Sequence, residues 1–322
     1  MSLALVFSPQ GSQAIGMGHD LARSSTASRT VYQEADAALG WSVSTLCWEG
    51  PEERLNDTRQ TQPCLLTTSI ACLRALEESL AARGLSLAAA RVAGHSVGEY
   101  AALVAAGSLS LGDALALVAR RGELMADAGA EGGMRAVIGL DRPEVARVVA
   151  EAGRDDLVVA NDNAPGQVVL SGSTAALDAV ESQLTAAGAR RVIQLRVSGP
   201  FHSPLMAEVG QTLGKAFGSV PWRDASPPVV SNVTAQPTTD AAALRELLER
   251  QVSAPVEWVR SVRGMVADGI DTFVELGPGA ALVGMIRRIA PGVTALSVSS
   301  EATLATTAEA LAGRAAAEPV SA

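Results

Sequence analysis

Long apolar runs, paired cysteines and clustered basic residues are all missing from this chain of 322 residues. Without a run of about 18 apolar residues, no membrane-crossing helix is expected. Cys47, Cys64 and Cys72 are odd in number, widely spaced and without a Cys-x-x-Cys pair, and only three histidines accompany them, His19, His95 and His202. Neither a disulfide framework nor a metal site is expected, and a reducing cytoplasm fits this cysteine usage. A net charge of −9 without a strong basic cluster argues against nucleic acid as the main partner. The pairs Arg190-Arg191 and Arg287-Arg288 are local exceptions to that balance. Charged residues make up only 18% of the chain against 48% hydrophobic, which excludes a disordered protein. Met1–Val6 has no basic segment ahead of its apolar residues and reads as a first strand, not as a signal peptide.

What is present is an alternation of strand-like and helix-like segments, the pattern of an α/β protein. Leu3–Phe7 reads as a buried strand, followed by the loop Pro9-Gln10-Gly11-Ser12-Gln13. Helices are expected at 27–39, 67–83 and, opened by the capping pattern Ser110-Leu111-Gly112-Asp113, from 111 to about 128. Between about 133 and 197 the order becomes strand 135–140, helix 143–152, strand 156–160, a turn at Asn163-Ala164-Pro165-Gly166, strand 167–170, helix 174–187 and strand 191–197. That β-α-β-β-α-β order is ferredoxin-like. The expected organisation is a large α/β domain with a mainly parallel sheet (1–131 and 198–300) interrupted by a small inserted domain (132–197). The alternation resumes with a strand at 228–232, helices at 241–251 and 256–268, a strand at 272–276 and a helix at 280–289. The alanine-rich stretch 301–322 has little apolar periodicity and is expected to be a flexible tail.

The most informative segment is Gly94-His95-Ser96-Val97-Gly98, followed by Glu99 and Tyr100. It lies between the apolar stretch Arg91-Val92-Ala93 and a helix-like run from Val97 to Ala106. A strand, a sharp turn and a helix are what a nucleophile elbow requires, with the serine held at the turn and helix N–H groups aimed at its attack site. A nucleophilic serine needs a base. His95 adjoins it and should point away, and His19 lies in the first helical region. His202, in Ser198-Gly199-Pro200-Phe201-His202-Ser203-Pro204, is left, on a loop stiffened by proline at both sides. A single structural hydrogen bond would also explain a histidine there.

Arg121 is a separate signal. At about 100° per residue, Leu111, Ala114, Leu115, Leu117, Val118, Leu124 and Met125 share one helix face, and Arg121 falls near its middle. A guanidinium on an apolar stripe keeps its charge and needs an anion, either a buried Asp or Glu or a carboxylate on a substrate. The N-terminal glycines do not form a nucleotide loop. Met17 stands where a phosphate loop needs lysine, and Gly16-Met17-Gly18 lacks the third glycine of a dinucleotide fingerprint.

Taken together, these segments resemble the family of malonyl-CoA:acyl carrier protein transacylases and polyketide synthase acyltransferase domains. The matching motifs are Gln10-Gly11-Ser12-Gln13, Gly94–Tyr100, Arg121-Gly122, Gly199-Pro200-Phe201-His202 and Glu275-Leu276-Gly277-Pro278-Gly279, covering nearly the whole chain to about Ser299. The resemblance implies a hydrolase-like α/β domain with a ferredoxin-like insert and a serine acyltransferase that needs no cofactor. It implies Ser96 as acyl-carrying nucleophile, His202 as base, backbone N–H groups of Gln10 and Val97 as oxyanion hole, and the backbone carbonyl of Gln251 as orienter of the histidine. It further implies substrate binding by Arg121, through the malonate carboxylate, with Phe201 and Met125 shaping the acyl site. The partners implied are malonyl-CoA and phosphopantetheinylated acyl carrier protein, the setting fatty acid biosynthesis in the cytoplasm, and the state a monomer. Phe201 resembles the version associated with malonyl over methylmalonyl groups.

Two positions depart from the family pattern. Phe7-Ser8-Pro9-Gln10 replaces the usual Phe-Pro-Gly-Gln, and Arg135 replaces a small residue. The rival readings are a free-standing polyketide acyltransferase, the malonyl-transfer subunit of a malonate decarboxylase, and a serine thioesterase or esterase. A hydrolase would use an acid between the serine and the histidine, where Asp155, Asp156 and Asp162 lie. For an acidic carrier, Arg190, Arg191, Arg287 and Arg288 are the candidate docking cations.

Overall fold

The computed structural model describes residues 2–128 and 132–317. Its strands, numbered in chain order, form two sheets. β1 (Leu3–Phe7) and β2 (Arg91–Gly94) open the larger one. β3 (Gly132–Ile138), β4 (Leu157–Ala164), β5 (Gln167–Ser173) and β6 (Arg191–Gln194) build the second. β7 (Val229–Val230), β8 (Pro237–Thr238), β9 (Thr272–Leu276) and β10 (Thr294–Val298) return to the first.

The larger sheet runs β10-β9-β1-β2-β7-β8, parallel throughout except for the short edge strand β8. β1 explains how it is covered. Leu3, Leu5 and Phe7 enter one core with the helices Thr58–Ala81 and Leu111–Asp127, while Ala4 and Val6 face a second core with Trp258, Val262 and Leu282. Alternation with apolar residues on both sides is the mark of a central parallel strand covered on both faces.

The second sheet has the order β4-β5-β3-β6, with every pairing antiparallel. The helices Arg142–Ala152 and Thr174–Ala186 cover one face through Val137, Val145, Leu170, Leu177 and Val180. The other face, with Met134, Ala136 and Val169, packs toward the larger sheet. Residues 132–194 thus have a core of their own on one side and share a core on the other. Asn161 forms a parallel bridge with Val256, and Arg142 pairs bidentately with Glu257. The two ends of this unit meet, because a Cβ on Gly132 would lie 2.7 Å from the Pro200 ring.

Several elements differ from the sequence reading. The helix expected at 67–83 starts at Thr58, nine residues earlier, and carries Pro63 within it. Asp57 caps it by accepting the Arg59 N–H at 2.9 Å, and Pro63, in its second turn, forgoes one intrahelical hydrogen bond. The helix Ala207–Phe217 has no strong sequence signal because it holds Gly210 and Gly214; a Cβ at either would collide with Glu249 of the neighbouring helix Ala241–Gln251. The last strand of the second sheet ends at Gln194, and 195–197 turn toward the cleft. β10 was unexpected; it adds the outer edge of the larger sheet.

The largest correction concerns the C-terminal stretch. Residues 301–317 are a helix, not a flexible tail, and 318–322 lie outside the described residues. Thr307, Ala308 and Leu311 are buried on one side of it, the Thr307 hydroxyl donates to the Ser297 carbonyl, and Arg314 donates to Thr272 and Thr294. Small side chains hide the apolar period here because alanine contributes to both faces, yet alanine is the best helix former. Leu311→Ala is expected to lower the unfolding free energy in urea by about 2–3 kcal/mol. An unchanged midpoint would mean that this helix does not pack as described.

Candidate active site

Three parallel strands, β1, β2 and β7, end at one place, and the chain following each supplies part of the site. This is the carboxyl edge of the sheet, where open α/β folds bind ligands. After β2 the backbone turns so tightly that a Cβ on Gly94 would sit 1.9 Å from the Gly98 carbonyl carbon, and one on Gly98 would sit 2.3 Å from the Phe7 oxygen. Both positions therefore require glycine. Ser96 is left at φ 54°, a left-handed conformation costing about 1–3 kcal/mol. Asn232, just beyond β7, holds that turn at both ends. Its Oδ1 accepts the Ser96 N–H at 2.7 Å, and its Nδ2 donates to the Gly94 carbonyl at 2.6 Å.

The Ser96 Oγ lies 2.7 Å from His202 Nε2. His202 is 3% exposed and also left-handed, at φ 59°, with its N–H donating to the Val252 carbonyl. Its Nδ1 faces the carbonyls of Gln251 at 2.9 Å and Ala254 at 3.2 Å. Only a protonated Nδ1 satisfies two carbonyls, so Nε2 is the bare nitrogen that accepts from the serine hydroxyl. Burial first, then the nearby Arg121 charge, push the imidazole down to about 3. It is a neutral base through the physiological range.

Arg121 is 1% exposed and donates to three oxygens: Gln62 Oε1 at 2.6 Å, Gln251 Oε1 at 3.1 Å and Ser96 Oγ at 3.1 Å. Its guanidinium also lies 5.7 Å from the centre of the Tyr100 ring. Among the described residues no carboxylate comes within 4.0 Å of it; the buried Glu99 reaches it only through Gln251, so the direct ion pair that sequence alone leaves open is not formed. Burial lowers its basicity, but guanidinium remains charged.

After β1, Ser8 donates to the buried Glu275 at 3.0 Å, and Glu275 also accepts the Val283 N–H at 2.9 Å. The hydroxyl of Ser8 thus anchors the loop in which Pro9 stiffens the approach to Gln10. The backbone N–H groups of Gln10 and Val97 meet no acceptor among the described residues. The Ser96 N–H is spent on Asn232, so Val97, at the N-terminal end of the helix Gly98–Ala105, offers the next free donor.

A cleft of about 670 Å³ opens onto Ser96 and His202 and is lined by Gln10, Met125, Met134, Asn163, Val197 and Phe201 among others. The shared face of the second sheet forms one wall of it. Phe201 is 4% exposed and Met125 is buried with its sulfur 3.5 Å from Gln62 Nε2. His95 turns away from Ser96, with Nε2 2.7 Å from Asn163 Oδ1, and His19 stacks on Trp48. Asp156 pairs with Arg154, and Asp162 lies beside Arg142, so neither reaches His202. Arg135 pairs with Asp178 and Glu181 on the covering helix, a role within the second sheet's own packing. Arg287 and Arg288 donate to oxygens of Ala295, Pro165 and Gln167.

Sequence reasoning missed Asn232 and Gln62. The strand expected at 228–232 takes in Asn232 as its last residue, whereas the observed strand is Val229–Val230 and Asn232 lies beyond it. Gln62 sits in the helical turns that precede the expected start of that helix. A polar residue directly after an apolar run that ends at the carboxyl edge of the sheet is the signal that would have found Asn232.

A strained serine, a neutral histidine beside it and the unpaired backbone donors of Gln10 and Val97 make a site for acyl transfer through a covalent ester. Residues 4–309 match the acyl transferase domain family, and the chain belongs to that family. Its relatives there include malonyl CoA-acyl carrier protein transacylases. It is 39% identical over 306 residues to that of Bacillus subtilis, spanning 94% of this chain and 95% of that protein. It is 40% identical over 309 residues to that of Escherichia coli, spanning 95% and 98%. Among solved structures, an acyl carrier protein S-malonyltransferase from Vibrio cholerae superposes with a TM-score of 0.90 at 36% identity, over 95% of this chain and all (100%) of that one. A malonyl-transacylase in complex with a type II polyketide synthase acyl-carrier protein superposes with a TM-score of 0.91 at 37% identity, over 96% and 100%.

The depressed basicity of His202 has a consequence for stability. In the unfolded chain a histidine takes up its proton near pH 6.5, whereas folded His202 refuses it until about pH 3. The unfolded state therefore binds more protons in that window, and stability is lost as pH falls from about 6.5 toward 3. Removing the group in His202→Ala is expected to flatten this decline by up to about 1.4 kcal/mol per pH unit. Parallel urea-unfolding curves against pH for wild type and variant would contradict it.

Proposed function

We propose that this chain transfers a malonyl group from malonyl-CoA to the phosphopantetheine thiol of an acyl carrier protein through a malonyl ester on Ser96. The observation that carries the reading is Arg121, an enclosed cation whose direct partners are all neutral oxygens, 3.1 Å from the serine Oγ. A substrate that brings its own carboxylate supplies the missing anion through charge-assisted hydrogen bonds. Hydrolysis of a neutral ester leaves that cation unexplained.

In this mechanism Ser96 Oγ attacks the thioester carbonyl carbon while His202 Nε2 takes the hydroxyl proton. Gln10 and Val97 N–H groups hold the tetrahedral oxyanion. The carbon–sulfur bond then breaks, and the proton passes from His202 to the departing CoA sulfur. The carrier thiol repeats the sequence in reverse, giving its proton to His202, attacking the malonyl ester and releasing Ser96. The Gln251 carbonyl keeps the imidazole oriented and supports its transient positive charge, the part a carboxylate plays in other serine enzymes. Exchange between thioesters is nearly isoenergetic and the acyl group arrives already activated, so the reaction calls for no cofactor. Phe201 and Met125 shape the acyl end of the cleft.

The loaded carrier supplies fatty acid biosynthesis in this reading. The similarity to a transacylase bound to a type II polyketide carrier favours polyketide synthesis as a second one. Cys47, Cys64 and Cys72 are free, no described helix is long and apolar enough to cross a membrane, and we assign the reaction to the cytoplasm.

Intact-mass measurement after brief exposure to malonyl-CoA should show one malonyl adduct on wild type and none on Ser96→Ala, and the adduct should move to added phosphopantetheinylated carrier. Loss of the adduct to water with nothing on the carrier would make the protein a hydrolase instead. In competition, wild type should prefer malonyl-CoA to both acetyl-CoA and methylmalonyl-CoA. Arg121→Ala should erase the preference over acetyl-CoA by about 10- to 100-fold, the worth of a hydrogen-bonded charge. An Arg121→Ala enzyme that kept its preference would remove Arg121 from substrate binding.

A further inference from the structure

Glu99 directly follows the elbow glycine, is 2% exposed, and has no part in the chemistry described so far. Its carboxylate is where three parts of the site meet. Oε2 accepts from Gln251 Nε2 at 2.6 Å and from the Asn232 backbone N–H at 3.3 Å. Gln251 in turn donates to the Ser96 carbonyl at 3.0 Å and accepts from Arg121 at 3.1 Å, while its own carbonyl meets His202 Nδ1. Glu99 does not line the cleft and touches none of the reacting atoms.

A glutamine amide has nearly the same shape when flipped, so only its neighbours decide which end is donor and which acceptor. Here the neighbours decide it from both sides. An ionised carboxylate only accepts, which turns Nε2 toward Glu99. A guanidinium only donates, which turns Oε1 toward Arg121. We propose that Glu99 is a positioning residue that locks the amide of Gln251, and through it sets the histidine-orienting carbonyl and the place of the Arg121 guanidinium. In this arrangement the site does contain an acid in support of its histidine, one residue removed and acting through a glutamine. Asn232, which holds the elbow with its side chain and binds Glu99 with its backbone, ties the serine to the same anchor.

The part concerning Arg121 rests on the proposed malonyl transfer; the part concerning His202 does not. Burial raises the Glu99 carboxyl to about 7, so the test is run near pH 8, where the carboxylate dominates. Two rates are measured on the full chain: labelling of Ser96 by a fluorophosphonate, which needs no acyl substrate, and malonyl over acetyl transfer in competition. Glu99→Gln keeps the shape and loses the charge. It should slow labelling by about 10-fold and lower the malonyl preference by a similar factor. Gln251→Ala keeps the carbonyl but removes the amide, and it should reproduce both losses. Because the two residues act in series, the double variant should be little worse than either single one. Losses that multiply in the double variant, or wild-type labelling in either folded single variant, would overturn the proposal. Should Glu99→Gln not accumulate as folded protein by circular dichroism, Glu99→Asp, which keeps the charge but shortens its reach to the amide, takes its place, and wild-type labelling in it would again overturn the proposal. A wild type that is labelled but never malonylated would sink the proposed substrate and leave the labelling arm intact.

Discussion

Enclosing the Arg121 guanidinium removes it from water, a loss of several kcal/mol that surrounding dipoles must offset. Gln62, Gln251 and Ser96 each turn an oxygen toward it, and the Tyr100 ring lies alongside. Each of those contacts fixes a different part of the chain: the long helix that begins at Thr58, the turn behind His202, the elbow and its helix. The packing that brings them together follows from the same demand. Gly122, beside Arg121, lets its helix approach until a Cβ there would lie 2.8 Å from the Thr58 carbonyl. The direct partners of Arg121 are neutral, with the carboxylate of Glu99 one glutamine away, so the guanidinium forms no ion pair of its own, a poor arrangement for stability and a good one for holding an anionic ligand.

Strain is placed at the same spot. Ser96 and His202 both have positive φ without being glycine, and each is held by a hydrogen bond from its own N–H. The hydroxyl and the imidazole therefore stand at 2.7 Å before any substrate arrives. Such preorganisation removes a reorganisation cost from the reaction itself. It is supported by stacked close contacts at Gly94 and Gly98, where the elbow rests directly on the end of β1.

Much of this was legible in the sequence, for identifiable reasons. Strands β1 and β9 and the helix Leu111–Asp127 carry strong periods or caps, and their residues are read at nearly the observed boundaries. Ser96, His202 and Arg121 stand out because serine between glycines, a histidine between prolines and an arginine on an apolar stripe each break a local rule. The carbonyl of Gln251 and the N–H groups of Gln10 and Val97 came only through family resemblance, since a backbone group leaves no trace in residue type. Asn232 and Gln62 left too little pattern around them. The helix 301–317 is hidden in the sequence because alanine fills buried and exposed positions alike, so its packing through Thr307, Ala308 and Leu311 shows no contrast.

The meeting of Gly132 and Pro200 gives the second sheet an entrance and an exit at one point of the larger domain. A segment whose ends are already together adds little closure entropy to the chain that carries it, however long it becomes. Its outer face is sealed by its own two helices, while its inner face is a wall of the cleft. Changes along β3 and β5 can therefore reshape what the cleft admits while the elbow, the histidine and the arginine stay on the other sheet. One wall of the cleft can thus vary without moving the residues that carry the chemistry.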